Sequence, residues 1–253
     1  MSTDPTIWPE GVARHVLGTT DSTMAEAARL APQLAGPAWI LAHEQTAAHG
    51  RRGRAWRMPA GNFAATLLFK PGVPPATAAL YSFVAALALD EALSRVAGPA
   101  ARLSIKWPND VLLNGGKVAG ILLESVTTGQ RVSHLAVGIG VNLVEAPGAD
   151  AVEPGALRPV SLLGETGIRV TPEEFLTPLA AAFARHAGNL EREGFAPVRE
   201  AWLARAARLG EKVVARTGHE VHEGIFETID ATGAMILRTA GGPLPIAAAD
   251  VFF

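Results

Sequence analysis

Glu44-Gln45-Thr46-Ala47-Ala48-His49-Gly50-Arg51-Arg52-Gly53-Arg54-Ala55-Trp56 stands between two apolar runs, Ala38 to Ala42 and Phe63 to Phe69. Runs of that length and composition read as buried strands, so a basic, glycine-containing loop joins two pieces of sheet. Gly50 and Gly53 are expected to supply positive φ and to let the backbone come close to a ligand. Arg51, Arg52, Arg54 and Arg57 gather positive charge, with no acidic residue between Glu44 and Asp90. A loop of this kind is either an arginine-rich surface turn or the receiver of an anion.

The flanking sequence gives the loop a frame. Upstream, Val12 to Leu17 reads as a short strand, and Thr19-Thr20-Asp21-Ser22-Thr23 offers N-caps for a helix over Met24 to Leu30. The hydroxyls of Ser22 and Thr23 either cap that helix or face a ligand at its N-terminus. Downstream, Pro74 to Val96 is apolar on most faces and is expected to lie against the sheet. Leu103-Ser104-Ile105-Lys106-Trp107-Pro108-Asn109-Asp110 and Val111 to Leu113 lead through Asn114-Gly115-Gly116 into Lys117 to Glu124, which reads as a hairpin. Lys117 enters an apolar strand beside two glycines. It is either a solvated hairpin lysine or a point charge suited to a carboxylate or phosphate oxygen.

A further strand is expected over Val132 to Gly140, a Pro/Gly/Ala-rich loop over Glu145 to Pro159, and helices from Pro172 to about Arg192 and from Val198 to Arg208. From Gly210 the texture changes to four short β-prone runs, Glu211 to Thr217, Glu223 to Asp230, Ala234 to Thr239 and Pro245 to Val251. They predict a small barrel, too small to bury much alone and therefore docked on the preceding residues. The expected architecture is α+β, a mixed β-sheet flanked by helices with a small β-barrel after it, divided at residues 1–208 and 209–253.

Composition narrows the function classes. With 253 residues, 49% hydrophobic and 18% charged, the chain can bury a full core. A formal net charge of -2 argues against a chain built to coat nucleic acid, which makes the arginine cluster a local feature. The absence of cysteine excludes disulfides, thiolate nucleophiles and cysteine metal sites. Met1 to Glu10 has no basic segment followed by an apolar core, and the apolar run Thr77 to Leu89 is short for a bilayer. The expectation is a cytoplasmic protein with no membrane partner.

Five segments in order resemble the biotin protein ligases, the biotin-[acetyl-CoA-carboxylase] ligases. They are Asp21-Ser22-Thr23; Gln45 with Gly50-Arg51-Arg52-Gly53-Arg54-Ala55-Trp56; Lys106-Trp107-Pro108-Asn109-Asp110; Gly116-Lys117-Val118-Ala119-Gly120-Ile121-Leu122-Leu123-Glu124; and Gly138-Ile139-Gly140-Val141-Asn142. The resemblance implies a seven-stranded mixed sheet of the class II aminoacyl-tRNA synthetase-like biotin/lipoate ligase fold, with a C-terminal SH3-like barrel. It also implies a two-step reaction in which biotin and ATP, with Mg2+, give biotinyl-5'-AMP, and the acyl group passes to a lysine of a biotin carboxyl carrier protein or domain.

Carried over by position, the resemblance assigns biotin contacts to Ser22, Thr23, Gln45, Gly50, Arg51, Lys117 and Gly120. Adenylate contacts fall to Arg51, Arg54, Trp56, Lys106, Asn109, Lys117 and Asn142. Lys117, Arg51 and Asp110 are the implied catalytic residues, and no residue is assigned to a resident metal. The family loop pattern Gly-Arg-Gly-Arg-x-Gly is broken here by Ala48-His49. About ten residues precede the first strand, so no winged helix-turn-helix and no operator DNA are expected. A lipoate or octanoate ligase of the same fold and a catalytically weakened biotin- or carrier-binding protein stay open beside this reading. So does oligomeric state, a homodimer included.

Overall fold

The structure is a computed structural model that describes residues 7–148, 155–218 and 220–253. The opening residues 1–6 and part of the expected 145–159 loop lie outside them. Strands β1 (Ala13–Thr20), β2 (Ala38–Gln45), β3 (Phe63–Phe69), β4 (Leu103–Lys106), β5 (Asp110–Leu113), β6 (Gly116–Thr128) and β7 (Arg131–Val141) form one sheet in the order β1-β2-β3-β7-β6-β5-β4. β1 runs parallel to β2 and the other pairs are antiparallel, so the sheet is mixed as expected.

Period-two alternation sorts the side chains of this sheet. Trp39 and Leu41, Phe63, Ala65 and Leu67, and Val137, Ile139 and Val141 point to one face and join the main core. Helices α2 (Pro75–Ala79), α3 (Tyr81–Val96) and α5 (Pro172–Glu193) contribute to the same core, where Phe175 meets Phe63 edge-on at 5.2 Å. The helix expected from Pro74 is divided at Leu80, and no side chain caps the start of either piece. Residues 75–97 together are long and apolar enough to cross a membrane by composition alone, longer than the expected run because the apolar pattern continues past Leu89. Most of that stretch is buried inside the fold.

α5 begins with a capping box, Thr171 with Glu174, and Pro172 at its first position, as its sequence signals. α4 (Leu162–Thr166), five residues capped by Ser161, was not expected. α6 (Phe195–Leu203) starts earlier and ends earlier than anticipated, and residues 205–207 then cover the free edge of β4: Ile105 N donates to Arg205 O and Ala207 N to Ile105 O, each at 2.8 Å.

The C-terminal residues make a five-stranded antiparallel sheet, ordered β11-β10-β9-β8-β12, from β8 (Lys212–Arg216), β9 (Val221–Ile229), β10 (Met235–Thr239), β11 (Gly242–Ile246) and β12 (Asp250–Phe252). The single run expected over Pro245 to Val251 is two strands. β11 pairs with β10, whereas β12 crosses to pair with β8. The barrel is fastened to the large sheet: the Trp107 indole donates to Gly233 O at 3.0 Å, and Trp202 stands edge-on to both Phe83 and Phe226.

Candidate active site

The second face of the sheet is where small residues collect. On β7, Gly138 and Gly140 alternate with the core residues, and Gly120 on β6 lies opposite Gly140 in register. These glycines leave room that other side chains enter. A Cβ on Gly140 would lie 2.6 Å from the Trp56 ring, and one on Gly138 would lie 2.7 Å from Met24 Sδ. Above this floor is a cavity of ≈ 670 Å³. It is walled by the start of α1 (Thr23–Leu30), the basic loop, residues 106–110, Lys117, and residues 249–252 of the barrel.

At one end of the cavity the helix N-terminus and the end of β2 are wired together. Ser22 caps α1, its Oγ accepting from Ala25 N at 3.0 Å, and it also borders the cavity, so both of its expected roles are compatible. Thr23 donates from its backbone N and from Oγ1 to Gln45 Oε1, at 2.8 and 3.2 Å, and accepts from Thr66 Oγ1 at 2.8 Å. Gln45 is thereby fixed through its carbonyl oxygen, while its Nε2 meets Met58 Sδ at 3.5 Å. The result is a preset polar corner in an otherwise apolar wall.

The basic loop is a narrow hairpin. Gly50 N donates to Arg54 O at 2.7 Å and Trp56 N to Ala48 O at 2.9 Å, and His49 bridges Ala55 through the backbone. Positive φ falls on Gly53 (71°), as expected, but the second such residue is Arg52 (57°); Gly50 has φ -101°. The tight turn over Arg51–Gly53 puts the left-handed positions at its second and third residues. The charge reading changes as well. The loop has no acid near it in sequence, yet Asp250 meets it: Arg52 Nη1 donates to Asp250 Oδ2 at 2.7 Å and Arg54 Nη2 to the same oxygen at 3.1 Å. Arg51 stands back, 3.9 Å from Asp250 Oδ1 and 3.4 Å from Asn109 Oδ1 and from Ala249 O.

Facing Arg51 is the arm from Lys106 to Asp110, turned by a cis Trp107–Pro108 bond. Asp110 Oδ1 pairs with Lys117 Nζ at 2.7 Å, and Asn109 Nδ2 donates to Ile121 O. Burial pushes the Lys106 ammonium below the usual lysine value, and the neighbouring Lys117 and Arg51 charges push the same way against Asp110 and Asp250. Lys106 lies over the Phe253 ring, 5.6 Å from its centroid. The backbone of Lys117 is strapped by the segment after the described gap, donating to Arg158 O at 2.9 Å and accepting from Val160 N at 3.0 Å. Buried Asn142 spends its Nδ2 on Val160 O at 3.0 Å, so its amide holds that strap as well as bordering the cavity.

Every residue assigned through the resemblance borders this one cavity, from Ser22 to Asn142. Sequence reasoning missed Met24, Leu157, Pro159 and the barrel's Ala249 to Phe252. Met24 was readable as the residue after the N-caps; the barrel residues carried no local signal. Among the described residues, the two carboxylates on the wall, Asp110 and Asp250, are both paired with cations, and no group of three His, Asp or Glu side chains is placed to hold a metal. The site is cationic, with a polar corner at one end and a glycine floor between. It suits a ligand that is apolar and amide-like at one end and anionic at the other.

The glycine-floored mixed sheet with a cationic hairpin over it falls in the class of the biotin and lipoate ligases. The chain belongs to the biotin/lipoate A/B protein ligase family, whose model matches residues 16–142, and residues 209–253 match the biotin protein ligase C terminal domain. It is 64% identical over 238 residues to the Biotin--[acetyl-CoA-carboxylase] ligase of Paracoccus denitrificans, covering 94% of this chain and 99% of that one. It is 30% identical over 244 residues to the Bifunctional ligase/repressor BirA of Bacillus subtilis, covering 95% of this chain and 73% of that one. The biotin protein ligase from Aquifex aeolicus in complex with biotin and ATP shares the fold, with a TM-score of 0.78 at 24% identity, over 94% of this chain and 98% of the other.

Proposed function

We propose that this chain is a biotin-[acetyl-CoA-carboxylase] ligase that joins biotin to ATP as biotinyl-5'-AMP and passes the biotinyl group to a lysine of a biotin carboxyl carrier protein or domain. The observation that carries the reading is the meeting of Lys117, Asp110 and Arg51 on one wall of a cavity whose other end is the Thr23–Gln45 corner. The 64% identity to a protein of that name supports it.

In the first step a biotin carboxylate oxygen attacks the α-phosphorus and pyrophosphate leaves. Negative charge gathers there, and Lys117 and Arg51, already placed, offset it. In the second step the acceptor amine attacks the acyl carbonyl, AMP leaves, and the amine gives up a proton. Asp110 is a base within reach once Lys117 turns from it to the substrate. Gln45 and Thr23 receive the ureido head, with Ser22, Gly50 and Gly120 around it. Arg54, Trp56, Lys106, Asn109 and Asn142 surround the nucleotide. Magnesium would enter with ATP and offset phosphate charge, Asp110 and Asp250 on the wall being already paired with cations. Residues 1–208 act as the catalytic domain and 209–253 as a second domain. Work in the cytoplasm on carrier proteins belongs to the reading. Operator binding does not, because the formal net charge is -2 and Arg52 and Arg54 are paired with Asp250. Biotin-dependent exchange of labelled pyrophosphate into ATP is the test; exchange supported by lipoate and not by biotin overturns the substrate.

A further inference from the structure

Asp250 is given no part in the reaction above, yet it is an acid that meets the loop's arginines. Its side chain is 16% exposed. The residues it joins lie 196 and 198 positions away in sequence. It does not treat the three arginines alike. Arg52 and Arg54 converge on one oxygen at hydrogen-bonding distance, whereas Arg51 is 3.9 Å from the other and is held by two long contacts of 3.4 Å. Charge-assisted bonds at 2.7 to 3.1 Å are firm, and contacts at 3.4 Å and beyond are readily exchanged.

We propose that Asp250 is a positioning residue, by which the barrel holds the hairpin through Arg52 and Arg54 so that Arg51 is left to bind the nucleotide's α-phosphate. This rests on the ligase reading for what Arg51 does, but not for how the loop is held. The division follows from the turn itself. Arg52 has left-handed backbone geometry that an arginine adopts at a cost, and its bond to Asp250 offsets it. Without that anchor Arg52 competes with Arg51 for the phosphate, and the hairpin loses its fixed distance from the glycine floor. The expected sign is therefore weaker nucleotide handling when the acid is removed, although removing it makes the cavity more positive. A purely electrostatic role predicts the opposite.

Two measurements on the full chain decide the matter. In the ligand-free protein, trypsin should cut after Arg51, Arg52 or Arg54 faster in Asp250→Asn than in wild type, by roughly tenfold if one firm anchor of about 1.4 kcal/mol is lost. Asp250→Glu should stay slow, and Glu223→Gln, which breaks the exposed Lys212–Glu223 pair of the same barrel, should match wild type. In pyrophosphate exchange, Asp250→Asn should raise the KM for ATP more than it lowers kcat, and adding Arg52→Ala to it should cost less than the same change costs in wild type. Unchanged cutting overturns the inference, as does faster cutting with an unchanged or lowered KM for ATP. Should Asp250→Asn not fold, Arg52→Ala removes the shorter of the two bonds without touching the barrel, and faster trypsin cutting after Arg51 or Arg54 is read the same way. A wild type without biotin-dependent exchange defeats the ligase reading, and the trypsin comparison then decides alone whether Asp250 holds the loop.

Discussion

The two faces of the seven-stranded sheet are made by the same strands and do opposite work. Toward α3 and α5, Trp39, Leu41, Phe63, Leu67, Val137, Ile139 and Val141 pack into the main core. Toward the cavity, the intervening positions are Ala64, Thr66, Gly120, Gly138 and Gly140, and the buried apolar packing under α1 is a small cluster of Ala27, Ile40 and Leu68, with Met24 set over Gly138. One face fills space and the other keeps it open. Alternation at period two lets a single strand such as β7 serve both, with Ile139 in the core between two glycines of the floor. The lesson is that stability and ligand space are separable by residue parity here.

Substitutions on each face put that separation at risk in turn. The largest effect is expected on the core face: Phe175→Ala, which removes a fully buried ring from beside Phe63, should cost about 3–5 kcal/mol in urea unfolding while folded protein keeps its KM for biotin. On the cavity face, Gly140→Val should leave unfolding much less affected yet cut pyrophosphate exchange by about a hundredfold, roughly 2.7 kcal/mol, because the new side chain displaces Trp56 into the cavity. Equal losses of stability from both would break the comparison. Lys117→Ala removes a charge-assisted contact of roughly 1.5–3 kcal/mol and should slow the first step by about ten- to a hundredfold with little change in unfolding.

The smallest effect concerns pH. His186 on α5, half-shielded beside Glu91, Arg185 and Arg205, is held below the usual histidine value of about 6.5, chiefly by burial. A depressed folded value means that the unfolded chain binds the extra proton first, so stability is full above about 6.5 and falls as the pH drops through the folded value. Melting temperature measured from pH 8 to 5 should therefore decline less in His186→Gln than in wild type. The KM for biotin in the two proteins should run parallel over the same range, since the histidine lies across the sheet from the cavity.

What was legible in the sequence was what is local in the chain. The pairing of Asp110–Leu113 with Gly116–Gly120 across the Asn114-Gly115 turn, the cap at Ser22 and the capping box of α5 each depend on residues within a few positions of one another, and each is found in place. The break at Leu80 was hidden because apolar residues continue on both sides of it. The fifth barrel strand was hidden because β11 and β12 are separated by a short Ala-rich turn that reads as a continuation. Arg52 in place of Gly50 at positive φ reflects a turn geometry that composition does not state. Asp250 is the extreme case, since its meaning lies entirely in a contact made nearly two hundred residues away.

That contact also gives the molecule an order of completion. Residues 22–142 supply the glycine floor, the hairpin, Lys117 and Asn142, whereas the wall made by residues 249–252 is encoded about a hundred residues later. At a synthesis rate of about 5–20 residues per second, roughly 5–20 s separate the two on the ribosome. Throughout that interval Arg52 lacks its bond to Asp250 and the cavity is open on one side. The finished pocket therefore exists only once residues 249–252 have been made, and Asp250 is among the last of its parts to arrive.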